Sequence, residues 1–455
     1  MATANVFPMD DNVALEREVH TIGRRLFEAF PTSAGGPLHM LDERAMELAS
    51  RDLELRAALF RFVDVVPACR SLDDLAQHLV GFVGELEARP GPLEAAMRIA
   101  DTRGGRAALG AAAAAGVRHM AHRFIVGSDA RDAEKVLREL WERSVATSVD
   151  LLGEAAVTPT EADRYAERCH QTLEELTELY ARWPARPRLE ADTVGVLPRA
   201  NLSVKISALT PLLRPHAPDR GRADAGERLR PLLRRARELG AHLHIDMESL
   251  DSREAVLELV LDLLGAEEFV RGPSSGLVLQ AYLRDSPETL DQVLGWADEH
   301  QRDSPLTVRV VKGAYWDHEI VEARQHGWPA PVFEDKSDSD RNFEHLTARL
   351  LDARPAVRVA IASHNLRSVA HAIACDHLLG GDGSDLELQV LRGLGDDLQD
   401  ALAAQGHRVR TYCPVGDLVS GMAYLVRRLL ENTAKDSFLT EHSRGVPVEQ
   451  LLEAP

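Results

Sequence analysis

The chain has 455 residues, 45% of them hydrophobic and 27% charged, with a formal net charge of −19 at pH 7. That balance describes a folded globular protein with room for one large barrel or two to three smaller domains, and it excludes a disordered chain. The acidic surplus excludes a nucleic-acid backbone as partner, because such binding needs a basic surface that displaces counterions.

The N-terminal residues 1–11 have neither the basic nor the apolar segment of a signal peptide, and no apolar run is long enough to cross a bilayer. Cys69, Cys169, Cys375 and Cys413 are scattered without CxxC pairs or metal-ligand spacing, which fits a reducing compartment. A cytoplasmic location is expected. From residue 12 to 144 the periodicity is helical, as in 51–62 and 71–86, with breaks at Pro67 and at Arg89-Pro90-Gly91-Pro92. Residues 1–144 are therefore expected to form an all-helical N-terminal region. The alanine tract at 111–115 has no preceding strand and no Gly-Lys-Ser/Thr after it, so it predicts a helix rather than a phosphate loop.

Beyond residue 144, short β-rich runs alternate with helical stretches: 145–152, 202–208, 242–247, 277–282, 307–311, 357–363, 386–391 and 408–412. This trace places the chain in the α/β class. It predicts a distorted (β/α)8 barrel of the TIM type over 145–440, with a doubly wound open sheet as the alternative, and leaves 441–455 as a tail. In such a barrel chemistry gathers at the C-terminal strand ends. Polar residues fall there repeatedly: Asp150 and Glu154, Lys205, Asp246, Gln280, Arg309 with Lys312, His364, Gln389 and Tyr412.

Three local patterns offer competing chemistry. His242, His244 and Asp246 share one strand face and could ligate the metal of a barrel hydrolase, although arginines nearby would repel the cation. Lys205 or Lys312 could be a Schiff-base nucleophile, but Glu154 and Asp246 would hold such a lysine charged. Gly393-Leu394-Gly395 lacks the third glycine of a dinucleotide fingerprint, having Leu398 in its place, and reads as a turn. The last predicted helix, 417–435, carries Tyr424, Arg427, Arg428 and Glu431 at helical spacing. Two guanidinium forks beside an aromatic ring suit a small carboxylate.

The segments Asp150-Leu-Leu-Gly-Glu154, Ser203-Val-Lys-Ile-Ser-Ala208, Ile245-Asp-Met-Glu248, Gln280-Ala-Tyr282, Arg309-Val-Val-Lys-Gly-Ala-Tyr-Trp316, Ser363-His-Asn365 and Tyr424 to Asn432 resemble proline dehydrogenase. They are closest to the proline dehydrogenase half of the bifunctional proline utilization A flavoenzymes, in order from about residue 50 to 440. The resemblance implies a barrel that binds FAD without covalent attachment and oxidises L-proline to Δ1-pyrroline-5-carboxylate. A membrane quinone would accept the electrons, with peripheral contact at the inner face of the membrane. Carried over by motif, Arg427, Arg428 and Lys205 would hold the carboxylate, while Asp150, Asp246 and Glu154 would position those cations. Tyr315, Leu391, Tyr412 and Tyr424 would enclose the pyrrolidine ring. Met247, Gln280, Arg309, Val311, Gly313 and Trp316 would line the flavin site from one side. Lys336, Ser363, His364, Gln389, Glu431 and Ser437 would line it from the other.

The chain departs from the family at Glu334, where a threonine is common, and at Arg392, where a histidine is common. It shows no ribbon-helix-helix segment, and it stops near residue 455, about where an aldehyde dehydrogenase half would begin. The chain is then either a stand-alone enzyme or a piece of a longer one, and an aldehyde dehydrogenase is an expected partner. A flavin oxidation of a modified or carrier-bound proline and a flavin-free docking subunit are the alternative functions.

Overall fold

The computed structural model describes residues 9–30, 52–87, 91–100, 102, 104–153, 155–417, 421, 424 and 446–455. Among these, six α-helices precede the first strand: Met9–Glu28, Leu53–Val65, Leu72–Gly84, Gly91–Ala100, Gly105–Phe124 and Glu134–Glu142. Their starts follow capping chemistry. The Asp52 carboxylate accepts from the N–H groups of Glu54 and Leu55 at 3.0 Å, and Ser71 Oγ accepts from Asp74 N–H at 3.1 Å. The alanine tract lies inside Gly105–Phe124, as expected. Gly110 is required there, because a Cβ would fall 1.9 Å from the carbonyl oxygen of Leu72 on the neighbouring helix.

Eight parallel strands close into a barrel in sequence order: β1 Val145–Leu151, β2 Asn201–Lys205, β3 His242–Asp246, β4 Ser274–Gln280, β5 Leu306–Val311, β6 Val357–Ala362, β7 Leu386–Leu391 and β8 Arg408–Val415. The β8 strand returns to β1 in register from Val145↔Val409 to Leu151↔Val415, so the open-sheet alternative is ruled out. The run 202–208 splits differently from expectation. The chain leaves β2 after Lys205 and makes the helical turn Ile206–Leu209, whose buried apolar residues prolong the pattern of a strand.

A single arginine ties the periphery to the barrel. Arg367, at the start of the Leu366–Leu378 helix, donates to both carboxylate oxygens of Glu16 at 2.8 and 2.9 Å. It also donates to Glu344 Oε1 at 2.8 Å and to the Leu452 carbonyl at 2.7 Å. The N-terminal helix and the segment 446–455 thereby dock on the same outer helix.

Outward residues of the strands, such as Leu243, Ile245, Val308, Val310 and Leu388, are buried under the helices and form the main core. The inward residues are polar to an unusual degree for a barrel whose interior is normally filled with branched apolar side chains. At the base, Arg410 grips Glu387 through two bonds of 2.8 and 2.9 Å and donates to the Thr147 carbonyl at 2.8 Å. Burial alone would raise the Glu387 carboxyl, yet that guanidinium holds it down at about 2. His242 Nε2 pairs with His244 Nδ1 at 3.2 Å and His242 Nδ1 with Ser274 Oγ at 2.9 Å. Burial, with Arg410 adding to it, pushes His242 down to about 3, and burial with Arg309 holds His244 well below the ordinary range.

These histidines predict an acid sensitivity. The His242 proton is refused by the folded state and accepted by the unfolded one between the usual imidazole value and about 3, and His244 acts in the same direction, so stability falls as pH drops through that window. Between pH 7 and pH 5 the loss should be about 2 kcal/mol for each buried neutral histidine. Urea denaturation at the two pH values checks it. The His242→Asn variant should show a shallower pH dependence than the wild type, and an unchanged slope would contradict the assignment.

Candidate active site

The C-terminal mouth of the barrel is built on Asp246, the last residue of β3. Its Oδ1 accepts from Arg309 Nη1 at 2.9 Å and its Oδ2 from the Tyr412 hydroxyl at 2.5 Å, while Lys205 Nζ lies 3.6 Å away. Lys205, the last residue of β2, makes a closer ion pair with Asp150, which is only 1% exposed. Arg309 Nη2 also donates to Ser203 Oγ at 3.4 Å, and its guanidinium carbon sits 5.4 Å from the centroid of the Tyr412 ring. Five side chains from β1, β2, β3, β5 and β8 thus form one network, each brought there because strand residues near the same height point to the barrel axis.

Burial opposes the charge on Lys205, but the carboxylates of Asp150 and Asp246 outweigh it and raise its pKa. The amine stays protonated, which suits a carboxylate binder and not a Schiff-base nucleophile. The Tyr412 phenol is held well above its usual value by burial, with Asp150 and Asp246 adding to it. It therefore remains a neutral donor to Asp246.

Gln280 and the residues after β5 extend this mouth. Gln280 Nε2 donates to the Glu248 carbonyl at 2.8 Å, and its Oε1, like Arg309 Nε, is buried without a partner among the described residues. Val311 ends β5, and Gly313 follows at φ +127, where a Cβ would strike the Tyr282 ring at 2.2 Å. Tyr315 packs on Tyr282, Leu283, Ile320 and Val332. Trp316 opens the Trp316–His326 helix, donates through Nε1 to the Phe333 carbonyl at 2.8 Å and leaves 38% of its surface exposed. Lys336 meets Asp340 at 2.9 Å, the carboxylate that Lys312 also contacts.

On the far side, Ser363 Oγ accepts from Asn365 N–H at 3.1 Å, and His364 Nε2 accepts from Leu391 N–H at 2.9 Å. Leu391 and Tyr424 pack on a small cluster with Phe124, Ile125, Leu152 and Leu394. Met247, just past β3, packs half-buried on the main core. Gln389 differs from its expected place at a strand end. It lies one layer lower, donates to Glu387 Oε1 at 2.6 Å and borders the cavity shared with His242 and Arg410. Glu154, Arg427, Arg428, Glu431 and Ser437 lie outside the described residues.

Two expectations about other chemistry also meet the structure. His242 and His244 bond to each other and to Ser274 rather than converging with Asp246 on one point. Cys69, in contrast, comes together with Asp74 and His78 within 4.8 Å, a grouping that its sequence spacing did not signal. It sits at the start of the Leu72–Gly84 helix, where Asp74 already accepts from Arg70 N–H at 3.0 Å and the positive end of the helix dipole opposes a cation. Among the described residues no helix is long and apolar enough to cross a membrane.

The sequence model of the family described as Proline dehydrogenase matches residues 133–441, and that of the Proline utilization A N-terminal domain matches residues 16–124. The chain belongs to the proline dehydrogenase family. It is 30% identical over 350 residues to Bifunctional protein PutA of Klebsiella aerogenes, covering 74% of this chain and 25% of that protein. It is 28% identical over 327 residues to Proline dehydrogenase of Deinococcus radiodurans, covering 71% of this chain and 89% of that protein. The crystal structure of proline utilization A from Bdellovibrio bacteriovorus inactivated by N-propargylglycine superposes with a TM-score of 0.88 at 32% identity, covering 97% of this chain and 44% of that one. The chain thus spans about a quarter of the curated PutA protein it matches and less than half of the solved one. The closed barrel with its helical N-terminal region is the architecture shared with the solved proline utilization A structure.

Proposed function

We propose that this chain oxidises L-proline to Δ1-pyrroline-5-carboxylate with non-covalently bound FAD. The observation that carries the reading is the network of Asp150, Lys205, Asp246, Arg309 and Tyr412 at the mouth of a closed barrel. The flavin fits this mouth: Gln280 Oε1 and Arg309 Nε are buried polar atoms still lacking a partner among the described residues. FAD, when bound, would take the hydride from the ring carbon next to nitrogen and pass the electrons to a quinone. The chain's own task is to fix geometry. Lys205, with Arg427 and Arg428 assigned by the family motif, pairs with the substrate carboxylate, and Asp150 and Asp246 keep Lys205 in place. Leu391, Tyr315, Tyr412 and Tyr424 enclose the ring. Arg309 keeps a positive charge near the flavin, favouring its reduction.

The test is an anaerobic visible absorption spectrum of purified protein before and after L-proline. Oxidised flavin bands that bleach support the reading. A flavin that does not bleach points to a modified or carrier-bound proline, and protein that takes up no FAD on reconstitution points to the docking role.

Specificity follows from Tyr412. Its hydroxyl is anchored by Asp246 and its face is covered by Arg309, so the ring cannot swing aside for a ring hydroxyl on the substrate. L-Proline should be preferred over 4-hydroxyproline by about tenfold or more in kcat/KM. Tyr412→Ser should narrow that ratio, and comparable efficiency on the two substrates in the wild type would refute the steric argument.

A further inference from the structure

His364 and Leu391 meet where the β6–β7 ladder ends. The paired registers stop at Ala362↔Gln389, and Ser363 N–H still reaches the Gln389 carbonyl at 3.2 Å. The next inter-strand bond does not use a backbone acceptor: Leu391 N–H donates to His364 Nε2 at 2.9 Å. An imidazole nitrogen has taken the place of a ladder carbonyl, so the ring presents Nε2 as an acceptor. Gly395 makes room for this ring. A Cβ there would fall 2.7 Å from His364 Cδ2 and 2.9 Å from Val390 Cβ. On its other side Leu391 is in register with Tyr412, and the next residue, Arg392, donates its N–H to the Tyr412 carbonyl at 3.1 Å.

From this geometry we infer that His364 is a positioning residue for substrate, a latch that sets the depth of the Leu391 wall by accepting its backbone N–H. The inference rests on the proline dehydrogenase reading for what the wall encloses. Leu391 N–H is held by His364, just past β6, while on the β8 side the wall is held by the next residue's bond, Arg392 N–H to the Tyr412 carbonyl, so freeing the first bond lets the wall drift while the Asp246 network stays intact. The effect belongs to binding of the apolar ring. It should raise KM for L-proline, read per bound flavin because His364 is also expected to line the flavin site.

Two substitutions break the latch by different means. His364→Phe removes the acceptor, and Gly395→Ala keeps the imidazole but drives it off the Leu391 N–H. Both should raise KM for L-proline about tenfold per bound flavin, the size expected when a half-buried N–H loses its partner. His364→Gln, which offers an acceptor at similar reach, should recover most of the loss. Hydrogen exchange of the peptide covering 386–395, measured without substrate, should show the Leu391 amide slow in the wild type and fast in His364→Phe and Gly395→Ala. The inference is overturned if both variants keep the wild-type KM, if Gln is as damaging as Phe, or if exchange at Leu391 is already fast in the wild type. A wild type that does not oxidise proline but shows the exchange pattern would instead refute the substrate assignment and leave the latch standing.

Discussion

Asp246→Ala should lower kcat/KM for L-proline by about two to four orders of magnitude, the kinetic equivalent of the ~3–5 kcal/mol expected when one member of a buried charge network is removed. Asp246 is the point where three donors meet: Arg309 Nη1 at 2.9 Å, the Tyr412 hydroxyl at 2.5 Å and Lys205 Nζ at 3.6 Å. Deleting it leaves two cations facing each other with one carboxylate, Asp150, to share. It also frees Tyr412 and Arg309 together, the two side chains proposed as ring wall and flavin-side charge. Asp246→Asn should be milder, because its amide oxygen can still accept from one of the two donors, Arg309 or Tyr412, while the charge and the other acceptor are lost. The gap between the two variants measures how much of the effect is orientation. Steady-state kinetics normalised to flavin content decides the matter, and an alanine variant within a factor of about three of the wild type would remove Asp246 from the reacting centre.

Much of this site was legible because a polar residue on an otherwise apolar strand stands out. Asp150, Lys205, Asp246, Arg309 and Tyr412 were all picked from strand ends, and the closed barrel brings all five together. The eight β-rich runs likewise map onto eight strands. What the sequence hid has a common cause, namely that height along the barrel axis depends on register between strands far apart in the chain. Gln389 reads as another strand-end residue, yet it belongs to the layer of Glu387 and Arg410 beneath. His242 and His244 alternate like ligands, but the barrel turns them to Ser274 and to each other. The Arg367 tie joins residues 16, 344 and 452, and no local pattern signals a three-way contact of that span. The helical turn Ile206–Leu209 is hidden for the opposite reason: a short run with three apolar residues in four looks the same in a strand and in a buried helical turn.

Lys205→Met should damage both folding and binding, and the two can be separated. The lysine is 22% exposed, enough to face a ligand, while its partner Asp150 is 1% exposed and cannot retreat to water. Removing the ammonium strands that carboxylate, at a cost of about 3–5 kcal/mol of stability. Burial already raises the Asp150 carboxyl against the pull of Lys205; without that ammonium it rises further above the unfolded value, and the acid takes up a proton. The folded state then binds more protons than the unfolded one, so the variant's stability should fall as pH rises. Its deficit is therefore larger at pH 8 than at pH 5. Adding Asp150→Asn removes the stranded charge, and the double variant should regain most of the lost stability and lose the pH dependence. On the proposed reading it should not regain substrate binding, because Asp150→Asn restores no cation for the carboxylate of proline. KM is expected to remain roughly a hundredfold above wild type in both variants, the scale of a lost charge-assisted contact. Urea denaturation at the two pH values, paired with proline kinetics, reads both arms. A double variant that recovers KM along with stability would make Lys205 a purely structural counter-ion and transfer the whole carboxylate to Arg427 and Arg428.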